Sequence, residues 1–377
     1  MLLDLSCLSY PLPPDVRRLY EAGDFGRMEL VIRRRLDDPC VPEALKARLR
    51  VQLEMAYEIP RAYPYTRAQM LDILQKNVSG FAEEELETLR DDGTLDWRYV
   101  NGEVRFKNNA LSALLKTRKE YAMRATDPAV MSGAKASTEQ LSAMIAKMKA
   151  NGGVRARFEL HEELTVRSDR LTEGETLRIH LPMPIVGAQV KRAELLSASH
   201  PVAFLAPEDE PQRTIYFELP YEPGMTVSAE IAYEIDAPYA QPHAREVYAE
   251  QPVFDTEELP PHVVFTPYLR ALAKEIVGDE TNALLKARKI YDFITTQAVY
   301  RFMPPYLTVP NIPEYFLSGL RGDCGVQAIT FVTLCRLCGV PAQWQSGLYT
   351  KPNSAGHHDW ARFYVAPFGW LFADCSF

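Results

Sequence analysis

The spacing of apolar residues changes twice along this chain, and no single layer type accommodates both spacings. From about Asp15 to Tyr57 they fall three and four apart: Val16, Leu19 and Tyr20; Met28, Val31, Ile32 and Leu36; Leu45, Leu49, Leu53 and Ala56. That period predicts two or three short helices packed as a hairpin over residues 1–60. Past residue 153 the period becomes two, in Phe158 and Leu160, then Leu177, Ile179 and Leu181, then Ile215, Phe217 and Leu219, then Val227, Ala229, Ile231, Tyr233 and Ile235. Turns such as Glu173-Gly174 and Pro223-Gly224 separate these runs, which predicts a β-sandwich over 154–237. The helical period returns at Leu269, Leu272 and Ile276, and again at Leu284, Ala287, Ile290, Tyr291 and Ile294. A chain of 377 residues with this pattern is expected to be a multidomain α+β protein.

Between the first two blocks the order helix, helix, hairpin is read from Met70, Leu71 and Leu74, from Leu86 and Leu89, and from Leu95, Trp97, Val104 and Phe106 around Asn101-Gly102. Asn-Gly between alternating strands is a strong hairpin signal. This order predicts a winged-helix-like unit over 61–125 and raises DNA binding. The second helix opens with Glu83, Glu84, Glu85 and Glu87, however, and an acidic helix is unsuited to facing phosphates, so a protein-contact or structural role is expected. Residues 126–153 read as a linker with one helix, Thr138 to Met148, and 238–260 as a Pro-rich linker to a final unit, 261–377. The turn Glu21-Ala22-Gly23-Asp24-Phe25 has no second copy at a fixed period, so no repeat array is expected. Arg33, Arg34 and Arg35 read as a solvated helix face, and Glu208-Asp209-Glu210 as a solvated turn without calcium-loop spacing.

The hydrophobic fraction of 47% and charged fraction of 24% are those of a globular chain, and a net charge of −8 argues against nucleic acid as the main partner. Met1 to Cys7 lacks the cationic start and apolar stretch of a signal peptide, and no run approaches a membrane span, so a cytoplasmic location is expected. The six cysteines, at 7, 40, 324, 335, 338 and 375, are scattered and read as free thiols. Cys335 and Cys338 form a Cys-x-x-Cys, but inside a helical pattern with no second ligand pair they read as core.

The last fifty-odd residues carry the chemistry. Downstream of Cys324, the residues Ala328, Phe331, Val332, Cys335 and Cys338 recur at helical spacing, with Gly339 and Pro341 as a stop. Cys324 is therefore predicted at a helix N-terminus, where the macrodipole and backbone N–H groups favour a thiolate and an oxyanion. His358, Trp360, Arg362 and Tyr364 alternate as in a strand, 366–369 reads as a turn, and Trp370 to Asp374 as the returning strand. Such a hairpin brings Asp374 within reach of His358, giving a thiol nucleophile, its base and an orienting carboxylate.

Gly322-Asp323-Cys324-Gly325 with Ala328 and Leu334, ending Cys338-Gly339-Val340-Pro341-Ala342, resembles the Gly-x-Cys helix and Leu-Gly-Ile-Pro-Ala-Arg exit of the transglutaminase-like superfamily. His358-x-Trp360, Tyr364, Gly369-Trp370 and Asp374 match that family's His-Ala-Trp, strand Tyr, Gly-Trp and triad Asp. The resemblance covers about the last 115 residues and implies a papain-like core with Cys324 as nucleophile, His358 as base and Asp374 as orienting acid. The His-x-Trp register and strand parity favour His358 over His357. Tyr300 and Tyr306 are candidates for the oxyanion donor that the family keeps upstream of its Cys, and Trp360 and Trp370 are expected to pack beside the site. Arg362 stands where the family often has Glu, Gln343 where it often has Arg, and Cys375 where Pro commonly follows the Asp; family members also usually continue past the point where this chain ends, at Phe377.

The expectation is a cysteine-dependent peptidase or amidase that works through a thioester on a peptide or protein substrate, with no metal or cofactor. The alternatives are a cross-linking transglutaminase, and an inactive scaffold whose N-terminal units bind a protein partner.

Overall fold

Caps and short apolar stripes build the N-terminal elements. In the computed structural model, which describes residues 5–352 and 354–376, three helices come first: α1 (Pro14–Glu21), α2 (Phe25–Asp37) and α3 (Glu43–Ala62). Residues 1–4 and 377, which entered the readings of the chain ends, lie outside the described residues. Pro14 opens α1, and the Asp24 carboxylate accepts the Arg27 N–H at 3.0 Å to cap α2. The inward stripes Val16, Phe25, Met28, Ile32, Leu49, Met55 and Ile59 close into one buried cluster.

A short strand β1 (Tyr65–Thr66) leads into α4 (Arg67–Asn77), opened by a Thr66/Gln69 capping box, and then α5 (Glu83–Asp91). Strands β2 (Trp97–Val100) and β3 (Glu103–Phe106) pair antiparallel, and β1 adds on the far side of β3. Asn101 and Gly102 both take left-handed φ, 50° and 88°, which a two-residue hairpin turn requires. The glutamates of α5 are met within this region: Glu83 and Glu87 pair with Arg67, and Glu85 with Arg124. Helices α6 (Ala110–Thr117) and α7 (Lys119–Ala122) follow; the sequence reading placed no helix there.

Helix α8 (Ala129–Asn151) corrects the reading of 126–153, since it begins nine residues before the predicted Thr138 and turns most of the expected linker into helix. Asp127 accepts the Ala129 N–H at 2.8 Å, and the alanine-rich start needs no amphipathic stripe to be helical.

Six strands follow: β4 (Gly153–Thr165), β5 (Thr176–Pro182), β6 (Val190–Ala198), β7 (Phe204–Leu205), β8 (Thr214–Pro220) and β9 (Thr226–Pro238). They form two antiparallel three-stranded sheets, ordered β4-β9-β6 and β5-β8-β7. Alternate residues of both, among them Ile179, Leu181, Ile215, Phe217, Val227, Ile231 and Tyr233, share one buried cluster. β6 and β7 were not predicted; β6 carries two register irregularities, which break the alternation a sequence shows.

The C-terminal third opens with α9 (Pro267–Val277), capped by Thr266, and α10 (Ala283–Gln297), capped by Asn282. Then come β10 (Val299–Tyr300), α11 (Ile312–Gly319), β11 (Arg321–Gly322) and α12 (Cys324–Leu337). α11 occupies a stretch where the apolar spacing marks no element; Asn311 caps it by accepting the Glu314 N–H at 2.9 Å, with Pro313 in its first turn. α12 is buried on nearly every side, in keeping with its apolar run. Strands β12 (Ala342–Lys351), β13 (Ser354–Val365) and β14 (Gly369–Ala373) form a further three-stranded sheet in that order.

The chain divides into two compact units. Residues up to 137, Pro252–Ala342 and those after Asp374 form one; Thr138–Gln251 and Gln343–Asp374 form the other. Among the described residues no helix is long and apolar enough to cross a membrane.

Candidate active site

Cys324 is the first residue of α12, and Asp323 is its N-cap. The Asp323 carboxylate accepts the Val326 N–H at 3.2 Å, the Tyr306 hydroxyl at 2.6 Å and the Met303 N–H at 3.4 Å. Gly322, just before it, lies in β11, which runs parallel to β10 with Tyr300 opposite Gly322. The Arg301 N–H donates to the Gly322 carbonyl at 3.0 Å, and the Gln327 side-chain amide donates to the same carbonyl at 2.9 Å. A Cβ at position 322 would lie 2.6 Å from Val326 Cγ1 and 2.9 Å from Phe316 Cδ2, which is why the motif begins with glycine. The half-buried Cys324 thiol thus sits on the first turn of a fourteen-residue helix whose dipole and N–H groups favour negative charge. The other thiols of this helix are set apart: burial pushes Cys335 well above the usual thiol range and raises Cys338, so both are held as neutral thiols.

In the second unit, the His358 ring Nε2 lies 2.5 Å from Asp374 Oδ2. Strand register explains the meeting. Tyr364 pairs with Trp370 and Ala361 with Ala373, so continuing the ladder sets Asp374 across from Trp360, diagonal to His358 on the same face. A carboxylate on Nε2 holds the proton there and leaves Nδ1 as the basic nitrogen. The Trp360 ring stacks beside His358 with centroids 6.2 Å apart, and Tyr349 meets it edge-on at 6.1 Å.

Two positions that depart from the family pattern bond to each other. Gln343 Oε1 accepts from Arg362 Nε at 2.7 Å and from Nη2 at 2.5 Å, and the guanidinium lies 4.5 Å from the centre of the Trp370 ring.

Of the residues singled out from the sequence, His358 and Asp374 bond directly and Trp360 stacks on His358. Tyr306 bonds to the cap of α12, and Tyr300 lies in the strand beside Gly322. Cys324 belongs to the first unit, and His358 and Asp374 to the second. The sequence reading gave Asp323 no role, although Asp directly before a helix is an N-cap signal. Lys116 carried no sequence signal. Its ammonium lies 3.5 Å above the Tyr300 ring. Among the described residues no three His, Cys, Asp or Glu side chains gather as a metal site.

The profile of the transglutaminase-like superfamily matches residues 270–375. Comparison with curated proteins gives no match. Among solved structures, a candidate cysteine protease from Cytophaga hutchinsonii aligns with 18% identity over 59% of this chain and 78% of its own, with a TM-score of 0.45. The periplasmic domain of TgpA from Pseudomonas aeruginosa aligns with 16% identity over 54% of this chain and 71% of its own, with a TM-score of 0.32. The motif blocks around Cys324, His358 and Asp374 all fall inside the segment, residues 270–375, that matches the transglutaminase-like superfamily.

Proposed function

We propose that this protein is a cysteine-dependent hydrolase of peptide or side-chain amides, with Cys324 as nucleophile, His358 as base and Asp374 as the acid that orients it. The observation that carries the reading is the 2.5 Å bond from His358 Nε2 to Asp374, made in the family's register. In this reading the thiol proton of Cys324 passes to His358 Nδ1 as sulfur attacks the amide carbonyl carbon. First-turn N–H groups of α12 stabilise the oxyanion. His358 then gives its proton to the departing nitrogen, the C–N bond breaks, and a thioester remains on Cys324. Water, deprotonated by His358, attacks the thioester carbonyl; the acid leaves and sulfur recovers a proton. No metal or cofactor is needed for these steps.

The same reading takes residues 61–125 as a winged-helix-like unit, 154–237 as a β-sandwich, 261–377 as the papain-like core, the cytoplasm as its location and a peptide or protein as substrate. Iodoacetamide labelling followed by mass spectrometry tests it: Cys324 should alkylate well before the other five cysteines near neutral pH, and equal or slower labelling refutes the activated thiol. With a Gln-containing peptide, release of ammonia or a shorter peptide supports hydrolysis, whereas incorporation of an added amine supports the cross-linking activity instead.

A further inference from the structure

The N-cap of α12 poses an electrostatic problem. The Asp323 carboxylate accepts one hydroxyl and two backbone N–H bonds, and it precedes Cys324 directly. A carboxylate next to a thiol opposes the thiolate, so a reactive Cys324 needs nearby positive charge to offset it.

We propose that Lys116, on α6 of the N-terminal region, supplies that charge: its ammonium is a positioning group whose field favours the negative charge that develops on the Cys324 sulfur as its proton leaves. The inference rests on the reading of Cys324 as nucleophile and adds a residue some two hundred positions upstream to it. The Lys116 Nζ lies 3.5 Å from the centre of the Tyr300 ring and 5.5 Å from that of Phe302, and the two rings meet edge to face at 5.4 Å. An exposed lysine ordinarily has a free, hydrated head; over the face of an aromatic ring it has a fixed place. Tyr300 is the strand partner of Gly322, two residues before Cys324, so the ring that fixes the ammonium is tied to the backbone that leads into the nucleophile.

The residue as a whole is exposed, yet loss of water around its head pushes the Lys116 pKa down, opposed first by Cys324 and then by Asp323. The ammonium is thus in electrostatic contact with both the nucleophile and its cap. Lys107 acts in the same direction on Asp323; it is buried, with Nζ donating to Asn109 at 2.8 Å. Arg301, next to Tyr300, pairs with Asp96. Lys116 acts on both Cys324 and Asp323.

The experiment is the pH profile of iodoacetamide alkylation at Cys324 in the full-length chain, read by mass spectrometry for the wild type, Lys116→Gln and Lys116→Arg. Near neutral pH, Lys116→Gln should label about ten-fold more slowly, with its profile displaced by about one unit to alkaline pH, the size of effect expected of one nearby charge. Lys116→Arg should keep the wild-type profile. Position 116 is exposed, so unchanged thermal melting of both variants is the folding control. An unmoved profile in Lys116→Gln overturns the proposal, as does an equal displacement in Lys116→Arg, which would show that something other than charge matters. Wild-type Cys324 labelling no faster than the other cysteines overturns the nucleophile reading itself, and that outcome is visible before any variant is made.

Discussion

The start of α12 and the hairpin that carries His358 and Asp374 are fixed by different kinds of constraint. Around Cys324 the backbone is held by groups that lie outside its own helix and strand. Tyr306 and Met303 hold the cap, Arg321 donates to the Asp92 carbonyl at 2.6 Å, and Arg301 pairs with Asp96, which also accepts the Tyr63 hydroxyl at 3.0 Å. His358 and Asp374, by contrast, meet because one antiparallel ladder runs in register from Val365–Gly369 to Ala361–Ala373. The lesson is that the His358–Asp374 pair needs only a local hairpin, whereas the start of α12 rests on contacts spread over the first unit.

Three substitutions bear on that difference most strongly. Cys324→Ala should abolish turnover of an amide substrate, a loss of about 10⁴-fold or more in kcat, without shifting the melting temperature. Asp374→Asn should lower kcat by about 10²- to 10⁴-fold, because an amide no longer selects the Nε2–H tautomer. It too should leave the fold intact, since the ladder does not depend on that carboxylate; a large loss of thermal stability would show the hairpin is not held by register. Asp96→Ala should do the reverse. It strips the partner from a mostly buried Arg301 and should cost about 3–5 kcal/mol in denaturant unfolding of the first unit. A cost below about 1 kcal/mol would mean that the long-range ties around Cys324 are dispensable.

The same contrast explains what could be read from the sequence. The hairpin was legible because alternation, the turn at Ala366-Pro367-Phe368-Gly369 and a His-x-Trp register are all local. α12 was legible because an apolar run ends at Gly339, whose φ of 76° fits a helix stop. α11 was missed although Asn311 and Pro313 mark its start, since its eight residues show little periodicity. α8 was shortened because its alanine-rich first half carries no apolar stripe in the sequence. Asp96 with Arg301, and Lys116 with Tyr300, were illegible for a deeper reason: about two hundred residues separate the partners, and no spacing rule links them.

A smaller test concerns a single bond at the cap. Tyr306→Phe removes the hydroxyl that Asp323 accepts at 2.6 Å and keeps the ring. Hydrogen bonds to a charged group contribute about 1.5–3 kcal/mol, so the variant should lose about that much stability in denaturant melts. If Asp323 positions the first turn, Cys324 alkylation should change as well. Lost stability with unchanged alkylation would separate the cap from the thiol.

The smallest expected effect lies in the second unit, where a carboxylate is treated in the opposite way from Asp96. Glu162 lies on β4 at the parity of Phe158 and Leu160, opposite the buried Ala229, and both its carboxylate oxygens are buried without a hydrogen-bond partner. Burial pushes its pKa from 4.5 up to about 7. Below about pH 4.5 the group is protonated in both folded and unfolded chains and costs nothing. Between that point and about pH 7 the unfolded chain releases the proton while the folded one keeps it, so stability falls as pH rises and then levels off. Allowing for solvent that reaches a partly exposed residue, the loss should be on the order of 1 kcal/mol. Glu85 should slope the other way: hydrogen bonding from Arg124 lowers it to about 2, so its contribution is lost as pH falls from 4.5 toward that value. Denaturant midpoints of the wild type and Glu162→Gln across this range isolate the term, because the difference between the two chains cancels every other titrating group. The variant should gain on the wild type as pH rises and hold a constant advantage above about pH 7. A difference that does not vary with pH would show that the Glu162 carboxylate finds solvent or a partner, and the contrast with the paired Asp96 would fall.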